Sequence, residues 1–298
     1  MSLFNVIILA IVQGLAELLP VSSSAHVVVA EKLMGLDPSS PQMTLLLVTL
    51  HTGTMFAVLV YFWKTWKKVY FSSVPAFSRF AVLVCWATLL TAIVGGALKK
   101  LIEATLFHGA EKAEIEELFN HLEIIAPALA AAGILILITG LIERRNKKSG
   151  YTRIVMDEED TLTLRPALWM GFVQGIALPF RGFSRSGSTI STGMLTGAAK
   201  KPAERFSFAL AVLLTPAVIA VELVRLLKAV HVSAAAGAPI DLHSALLMCL
   251  LGAFFAFLAG LLALRWLSRW LESGRWYLFG IYCLIASVVV FYLHTRGF

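Results

Sequence analysis

The chain of 298 residues is 58% hydrophobic, and only 14% of its residues are charged. A soluble domain carries about 25% charged residues, so this composition favours a protein whose solvent is lipid. The net charge of +7 does not indicate a nucleic-acid partner, because the basic residues stand in short loops between apolar runs, as in membrane proteins. The chain is therefore predicted to be an all-α polytopic membrane protein.

Six apolar stretches are long enough to cross about 30 Å of hydrocarbon as helices. They are residues 43–63, 79–99, 123–143, 203–228, 243–267 and 275–294. Two further regions, 3–34 and 166–198, are apolar but are interrupted at 19–22 and 179–182, which leaves halves too short to span. We predict a re-entrant helical hairpin in each region, because non-helical backbone at that depth must be surrounded by protein or line a water-filled cavity.

The two interrupted regions repeat one another. Residues 12–16 (VQGLA) match 173–177 (VQGIA) at an offset of 161, and the same offset aligns Ser23 with Ser184. This repeat predicts two units, each of one re-entrant hairpin followed by three transmembrane helices. Because three spans are an odd number, the second unit enters from the opposite side, which makes an inverted-topology repeat with both interruptions near the midplane.

The basic residues predict the orientation of this topology. Sixteen of the 25 Lys and Arg lie in loops on one side, seven lie on the side that holds the N-terminus, and two lie in the second hairpin. Basic loops face the cytoplasm. We therefore predict one membrane domain over 1–298, with repeat one at 1–143, a cytoplasmic linker at 144–165, repeat two at 166–298, and both termini outside. The Glu-rich segment 100–122 then faces outward, as an amphipathic surface helix.

The second hairpin carries the strongest candidates for anion binding, in the segment 181–189 (RGFSRSGST). Ionisable groups inside membrane segments are costly and are functional candidates. A Gly-flanked, hydroxyl-rich turn that opens a helix offers N–H groups and a positive dipole end to an anion, and the guanidinium of Arg185 suits phosphate oxygens. A capped helix with a snorkelling arginine is the structural alternative. The predicted phosphate ligands are Arg181, Ser184, Arg185, Ser186, Gly187 and Thr189.

The first hairpin carries an acid. Gln13 and Glu17 lie one helical turn apart and project from the same helix face. Glu17 is predicted either to pair with Arg185 in a structural role, or to hold a divalent cation or take a proton. Oxygen ligands suit Mg²⁺ or Ca²⁺, and with one acid beside one amide the substrate phosphates would have to complete the coordination. His51 and Glu222 are weaker candidates.

Serines follow the interruption of the first hairpin. One of them is expected to cap the next helix, and Ser22 is predicted to contact substrate. Ser23 is the candidate nucleophile, because its repeat partner is Ser184. His26 lies about one turn further on and could act as base or acid for Ser23, although a histidine at such a position can also be structural.

These segments resemble the signatures of the bacterial undecaprenyl-diphosphate phosphatase family of the bacitracin-resistance type. Its (E/Q)xxxE and PVSSxxH motifs appear here as Gln13 to Glu17 and Pro20 to His26, and its PGxSRSxxT motif as residues 181–189. The resemblance covers the whole chain. The sequence departs from the family pattern at Arg181, where the pattern has proline. Arg181 adds a second positive charge that is able to contact a diphosphate.

The resemblance implies removal of the terminal phosphate from a C55 isoprenyl diphosphate at the outer face of the bacterial cytoplasmic (inner) membrane. This reaction supplies the carrier lipid for peptidoglycan synthesis and confers bacitracin resistance. The resemblance also implies a divalent cation, an inverted-repeat fold and a homodimer. The positions that match functional residues of the family are Glu17, Ser23, His26 and Arg185, supported by Gln13, Ser184, Ser186 and Thr189.

Two mechanisms of action remain open at this point. As an enzyme, the protein would hold the diphosphate with Arg185, attack it with Ser23 and move the proton through His26 or Glu17. As a transporter, it would carry an isoprenyl phosphate, because inverted repeats that meet at broken helices are also a transporter architecture. Ser23 and His26 favour the enzyme, since binding alone requires only hydrogen-bond donors. A type-2 phosphatidic acid phosphatase is excluded, because the His and Asp of its SR-x₅-H-x₃-D motif are missing.

Overall fold

The computed structural model describes residues 2–37, 41–106, 122–148, 162–235 and 242–297, and all regular structure within these ranges is helical. Ten helices follow one another there: α1 (Leu3–Leu18), α2 (Ser23–Leu33), α3 (Pro41–Val69), α4 (Val74–Leu106), α5 (Leu122–Lys148), α6 (Leu164–Ala177), α7 (Arg185–Leu195), α8 (Lys200–Ala235), α9 (Leu242–Glu272) and α10 (Tyr277–Thr295). The prediction of an all-α protein is confirmed for this part of the chain.

Five helices are long and apolar enough to cross a membrane. These stretches are Leu45–Val69, Val74–Thr105, Leu122–Asn146, Leu246–Glu272 and Tyr277–Thr295. They coincide with five of the six predicted spans, so a multi-pass membrane protein is confirmed. The sixth predicted span lies in α8, which has 36 residues and contains Pro216, but α8 is not among the five.

Both predicted interruptions are present. The first separates α1 from α2 at residues 19–22, and the second separates α6 from α7 at 178–184. The four helices have 16, 11, 14 and 11 residues. At 1.5 Å per residue each is shorter than the roughly 30 Å hydrocarbon core. The predicted surface helix at 100–122 and the linker at 144–165 lie largely outside the described residues, although α4 continues to Leu106 and α5 to Lys148.

The short helices of each half pack on a long helix of the other half. α1 lies against α9, and α6 lies against α4. Glycine permits both approaches: a Cβ atom on Gly14 would lie 2.6 Å from the carbonyl oxygen of Ala256, and one on Gly171 would overlap the backbone of Ala87. α3 also packs on α8, and α5 on α10. This exchange of partners brings the two interruptions together in the middle of the protein.

Candidate active site

The end of α1 and the first residues of α2 and α7 meet at the carboxylate of Glu17. Its Oε1 accepts a hydrogen bond from Arg185 Nη2 at 2.5 Å. Its Oε2 accepts one from Ser23 Oγ at 2.5 Å and one from Gln13 Nε2 at 3.2 Å. The side chains of Arg185 and Glu17 are only 23% and 14% exposed, so solvent screens this ion pair weakly. Three residues predicted for the site therefore lie in direct contact with a fourth, the acid Glu17.

The backbone at both helix starts explains this convergence. Ser22 and Ser184 are the N-cap residues of α2 and α7. They are the two non-glycine residues with positive φ in the described ranges, at 68° and 38°. Left-handed backbone is strained for a residue with a side chain, and such strain concentrates at functional sites. In each case the next residue, Ser23 or Arg185, is the one that contacts the carboxylate of Glu17.

These helix starts revise the repeat alignment. The offset of 161 pairs Ser23 with Ser184, whereas by helix position Ser184 corresponds to Ser22 and Arg185 corresponds to Ser23. When the Val-Gln-Gly segments are aligned, α7 begins one residue later than α2 does. This extra residue shifts the correspondence between the two helix starts by one position. The equivalent positions therefore carry a hydroxyl in one half and a guanidinium in the other.

His26 lies in the next turn, but its ring nitrogens are engaged by groups other than Ser23. Nδ1 lies 2.7 Å from the carbonyl oxygen of Ser22, and Nε2 lies 2.7 Å from the hydroxyl of Tyr282 on α10. The Ser23 hydroxyl instead donates to Glu17. His26 and Glu17 were the two proton acceptors considered for Ser23. Of these, Glu17 is the one in hydrogen-bond contact with the Ser23 hydroxyl.

Two residues join the site from outside the hairpins. Nε2 of His51, on α3, lies 3.7 Å from Glu17 Oε2, while its Nδ1 lies 2.8 Å from the Leu47 carbonyl oxygen. Sequence reasoning ranked His51 low because it stands alone in the middle of a span. Tyr282 was missed, because a tyrosine in an apolar helix 256 residues away from His26 gives no local signal. The side chain of Glu222 lies outside the described residues.

Other predicted phosphate ligands of α7 help to build the turn. Ser184 Oγ accepts a hydrogen bond from the Gly187 backbone N–H at 3.3 Å, which caps the helix. Ser186 Oγ donates to the carbonyl oxygen of Leu19 at 3.2 Å and so joins α7 to the first interruption. A Cβ atom on Gly187 would lie 2.6 Å from Cδ1 of Ile136 and 2.8 Å from Ser184 Oγ, so a larger residue here would require these side chains to shift.

Thr189 is turned away from the Glu17 cluster. Its Oγ1 donates to the carbonyl oxygen of Arg185 at 2.8 Å and lies 2.6 Å from Ser207 Oγ on α8. Thr189 is completely buried. The contacts of Thr189 therefore link α7 to α8.

Arg181 stands in the second interruption, where its positive charge acts on the carboxylate of Glu31 in α2. Glu31 has 0% exposure. A buried carboxylate requires a compensating charge, because the cost of removing it from water is several kcal/mol. Arg181 thus offsets part of the cost of burying Glu31, whose oxygens accept no hydrogen bond from the described residues.

The second copy of the repeat lacks the acid. Gln174 is the repeat partner of Gln13, but its Nε2 donates to Thr91 Oγ1 at 3.3 Å inside the contact between α6 and α4. The position that aligns with Glu17 at the offset of 161 is Leu178. The acid and the hydroxyl of the site therefore come from the first hairpin, and the guanidinium comes from the second.

The described residues contain no group of three or more His, Cys, Asp or Glu side chains placed to hold a metal ion. Glu17 and Gln13 nevertheless offer carboxylate and amide oxygens, the donor type that Mg²⁺ and Ca²⁺ prefer. These donors fit a cation that takes its remaining ligands from substrate phosphates and water.

The family model described as bacitracin resistance protein BacA matches residues 6–289. Undecaprenyl-diphosphatase 2 of Acinetobacter baylyi is 55% identical over 290 residues, which cover 97% of both chains. Undecaprenyl-diphosphatase 2 of Burkholderia thailandensis is 34% identical over 295 residues, 97% of this chain and 95% of the relative. Undecaprenyl-diphosphatase 1 of Burkholderia pseudomallei is 33% identical with the same coverage. The chain therefore belongs to the bacitracin resistance protein BacA family.

Proposed function

We propose that the protein hydrolyses undecaprenyl diphosphate to undecaprenyl phosphate and inorganic phosphate, and that this activity confers bacitracin resistance. The observation that carries the proposal is the contact of Glu17 with both Ser23 and Arg185. It combines a proton acceptor, a nucleophilic hydroxyl and a phosphate-binding cation at one point. The apolar helices around this point suit a substrate whose diphosphate is attached to a long isoprenyl chain.

Arg185 binds the diphosphate, together with N–H groups at the start of α7, because a guanidinium and a helix N-terminus both favour phosphate. Ser23 Oγ attacks the terminal phosphorus while its proton passes to Glu17 Oε2. The bond from phosphorus to the bridging oxygen breaks, and undecaprenyl phosphate leaves with the bonding electrons. Water then attacks the phosphoserine, the serine oxygen recovers the proton from Glu17, and inorganic phosphate is released. Gln13 orients the carboxylate throughout.

A divalent cation, Mg²⁺ or Ca²⁺, is part of this proposal. Glu17 would hold it, with Gln13 as a further oxygen donor. A bound cation would offset the negative charge of the diphosphate. The support for this assignment is the type of donor present and the pairing of Arg185 with Glu17, which leaves little positive charge at the site to balance a diphosphate.

The finer architecture is likewise a proposal. We propose one membrane domain in which repeat one (1–143) and repeat two (166–298) are inverted, with the linker 144–165 in the cytoplasm. The exchange of helix partners between the halves and the excess of basic residues in the loops on one side support it. This topology puts both termini and the active site on the outer side of the inner membrane. A homodimer follows from the family resemblance, and native mass measurement in detergent tests it.

Phosphate release from undecaprenyl diphosphate by the purified protein in detergent tests the function. The assay contains no membrane compartments and no transmembrane gradient, so a transporter without phosphatase activity would release no phosphate in it. We expect release that requires a divalent cation and stops with a chelator. A folded, monodisperse preparation that releases no phosphate with any divalent cation would contradict the phosphatase and favour the transporter.

Ser23→Ala is expected to lower turnover by roughly a hundred-fold, because the attacking hydroxyl is lost and water must replace it. Ser24→Ala is the matched control, since the Ser24 hydroxyl contacts Ser22 Oγ at 3.3 Å and takes no part in the proposed reaction. Initial rates of phosphate release check the comparison. Near-full turnover by Ser23→Ala would instead make water the direct attacker.

A further inference from the structure

Tyr282, on α10, reaches into the first hairpin beside Cys283, whose Sγ lies 3.4 Å from the carbonyl oxygen of Pro20. Its hydroxyl lies 2.7 Å from His26 Nε2, and the two rings are nearly parallel, with an interplanar angle of 11°. Tyr282 is 46% exposed, so burial of the ring alone does not account for its position. The hydrogen bond is a specific contact between a helix of the second half and the turn that carries the candidate nucleophile.

The other nitrogen of His26 determines the proton positions along this contact. A carbonyl oxygen only accepts hydrogen bonds, so the Nδ1 atom beside the Ser22 carbonyl at 2.7 Å carries the proton. Nε2 of the neutral ring is then an acceptor, and the Tyr282 hydroxyl donates to it. The partners of the ring therefore select one tautomer and one ring orientation.

The Ser22 carbonyl belongs to the strained residue that precedes Ser23. Ser22 has a φ of 68° and makes no side-chain cap hydrogen bond, whereas Ser184 holds its own turn through a cap to the Gly187 N–H. The Ser22 carbonyl instead accepts hydrogen bonds from the ring and the backbone N–H of His26. The His26 ring thus holds the strained Ser22 residue at its carbonyl oxygen, whereas in the second hairpin the Ser184 hydroxyl holds the turn by accepting a backbone N–H.

We propose that Tyr282 is a positioning residue for the reaction. Its hydroxyl orients the His26 ring, the ring holds the strained Ser22 backbone, and this backbone directs the Ser23 hydroxyl at Glu17. The inference rests on the proposed phosphatase function and adds to it a residue from α10. It also gives His26 a role in the placement of Ser23, while Glu17 accepts the proton.

A double-mutant cycle tests the proposal on purified protein with undecaprenyl diphosphate. Tyr282→Phe removes one neutral hydrogen bond, so we expect kcat to fall roughly three- to ten-fold, with little change in KM. His26→Ala is expected to lower kcat by roughly a hundred-fold, because the Ser23 hydroxyl loses its placement. In the His26→Ala background, Tyr282→Phe is expected to have no further effect, because its action passes through the ring. Effects that multiply would overturn the proposal.

The control is Tyr292→Phe, on the same helix. Tyr292 is 53% exposed and its hydroxyl accepts a hydrogen bond from Arg296 Nε at 2.9 Å, so the variant also loses one hydrogen bond but is expected to keep normal kcat.

The ¹⁵N chemical shifts of the His26 ring test the proposal without substrate. We expect the Nδ1–H tautomer in the unaltered protein and a mixture of tautomers in Tyr282→Phe. The same ¹⁵N shifts in Tyr282→Phe as in the unaltered protein, or a normal kcat in Tyr282→Phe, would overturn the role of Tyr282 and leave the proposed phosphatase function intact. Lack of activity in the unaltered protein would overturn the proposed function.

Discussion

Arg185→Ala is expected to be the most damaging single substitution, with a fall of about 10³- to 10⁵-fold in kcat/KM for undecaprenyl diphosphate. Phosphoryl transfer depends on positioning and charge stabilisation, and arginines that contact the transferred group have effects of this size. In this site the guanidinium also neutralises Glu17 at 2.5 Å. Steady-state phosphate release over a range of substrate concentrations measures the loss.

Two companion variants separate charge from geometry. Arg185→Lys keeps the positive charge but loses the planar fork, so we expect it to recover part of the activity. Arg275→Ala removes an exposed arginine in the turn between α9 and α10 and should leave the rate unchanged. Because removal of Arg185 leaves a shielded acid without its partner, thermal midpoints in detergent must accompany the rates. Activity of Arg185→Ala within ten-fold of the unaltered protein would contradict the assigned role.

Glu17→Gln is expected to lower kcat by about 10³-fold, the second largest effect. The amide has nearly the shape of the carboxylate but cannot take the proton of Ser23, and general base catalysis of this kind contributes about 10²- to 10⁴-fold. The substitution also removes two other functions of Glu17. It removes the negative charge that balances Arg185, and it removes the carboxylate that is proposed to bind the cation. We therefore expect a higher concentration of divalent cation for half-maximal activity.

Glu103→Gln is the matched control, because Glu103 also faces a cation, Lys99 at 3.7 Å, but lies on α4 outside the site. Stabilisation of the protein by Mg²⁺ or Ca²⁺, followed as a shift in thermal midpoint, reports binding without turnover. We expect this shift to shrink in Glu17→Gln and to persist in Glu103→Gln. An unchanged shift together with normal kcat would remove Glu17 from both roles.

Features that depend on neighbouring residues were predictable from the sequence. The interruptions at 19–22 and 179–182 coincide with Pro20 and Pro179, and in each case polar or glycine residues follow within three positions. Proline disfavours a continuing helix, although Pro216 stays inside α8. Gln13 and Glu17 share a helix face because they are four residues apart, and their side chains are indeed hydrogen-bonded. The class of protein was predictable because the length of an apolar stretch depends only on consecutive residues, and stretches of this length indicate membrane-spanning helices.

The pairing of Ser23 with His26 shows where such reasoning ends. The two residues are three apart, and proximity along the helix made them an expected pair. The direction of each side chain depends on a strained backbone at Ser22, which the sequence does not encode as a recognisable pattern. The structure instead joins Ser23 to Glu17 and His26 to Tyr282.

The sequence by itself determined that this protein is a multi-pass helical membrane protein with two interrupted helical regions, because helix length, helix face and breaks are local properties. Phosphate binding in these regions is its prediction. Only the tertiary structure decided which groups touch. Contacts such as Glu17 with Arg185, 168 residues apart, arise when α1 packs on α9 and α6 on α4, and that packing depends on the fit of whole helix surfaces. The same fit adds His51 and Tyr282 to the site and turns Thr189 towards α8.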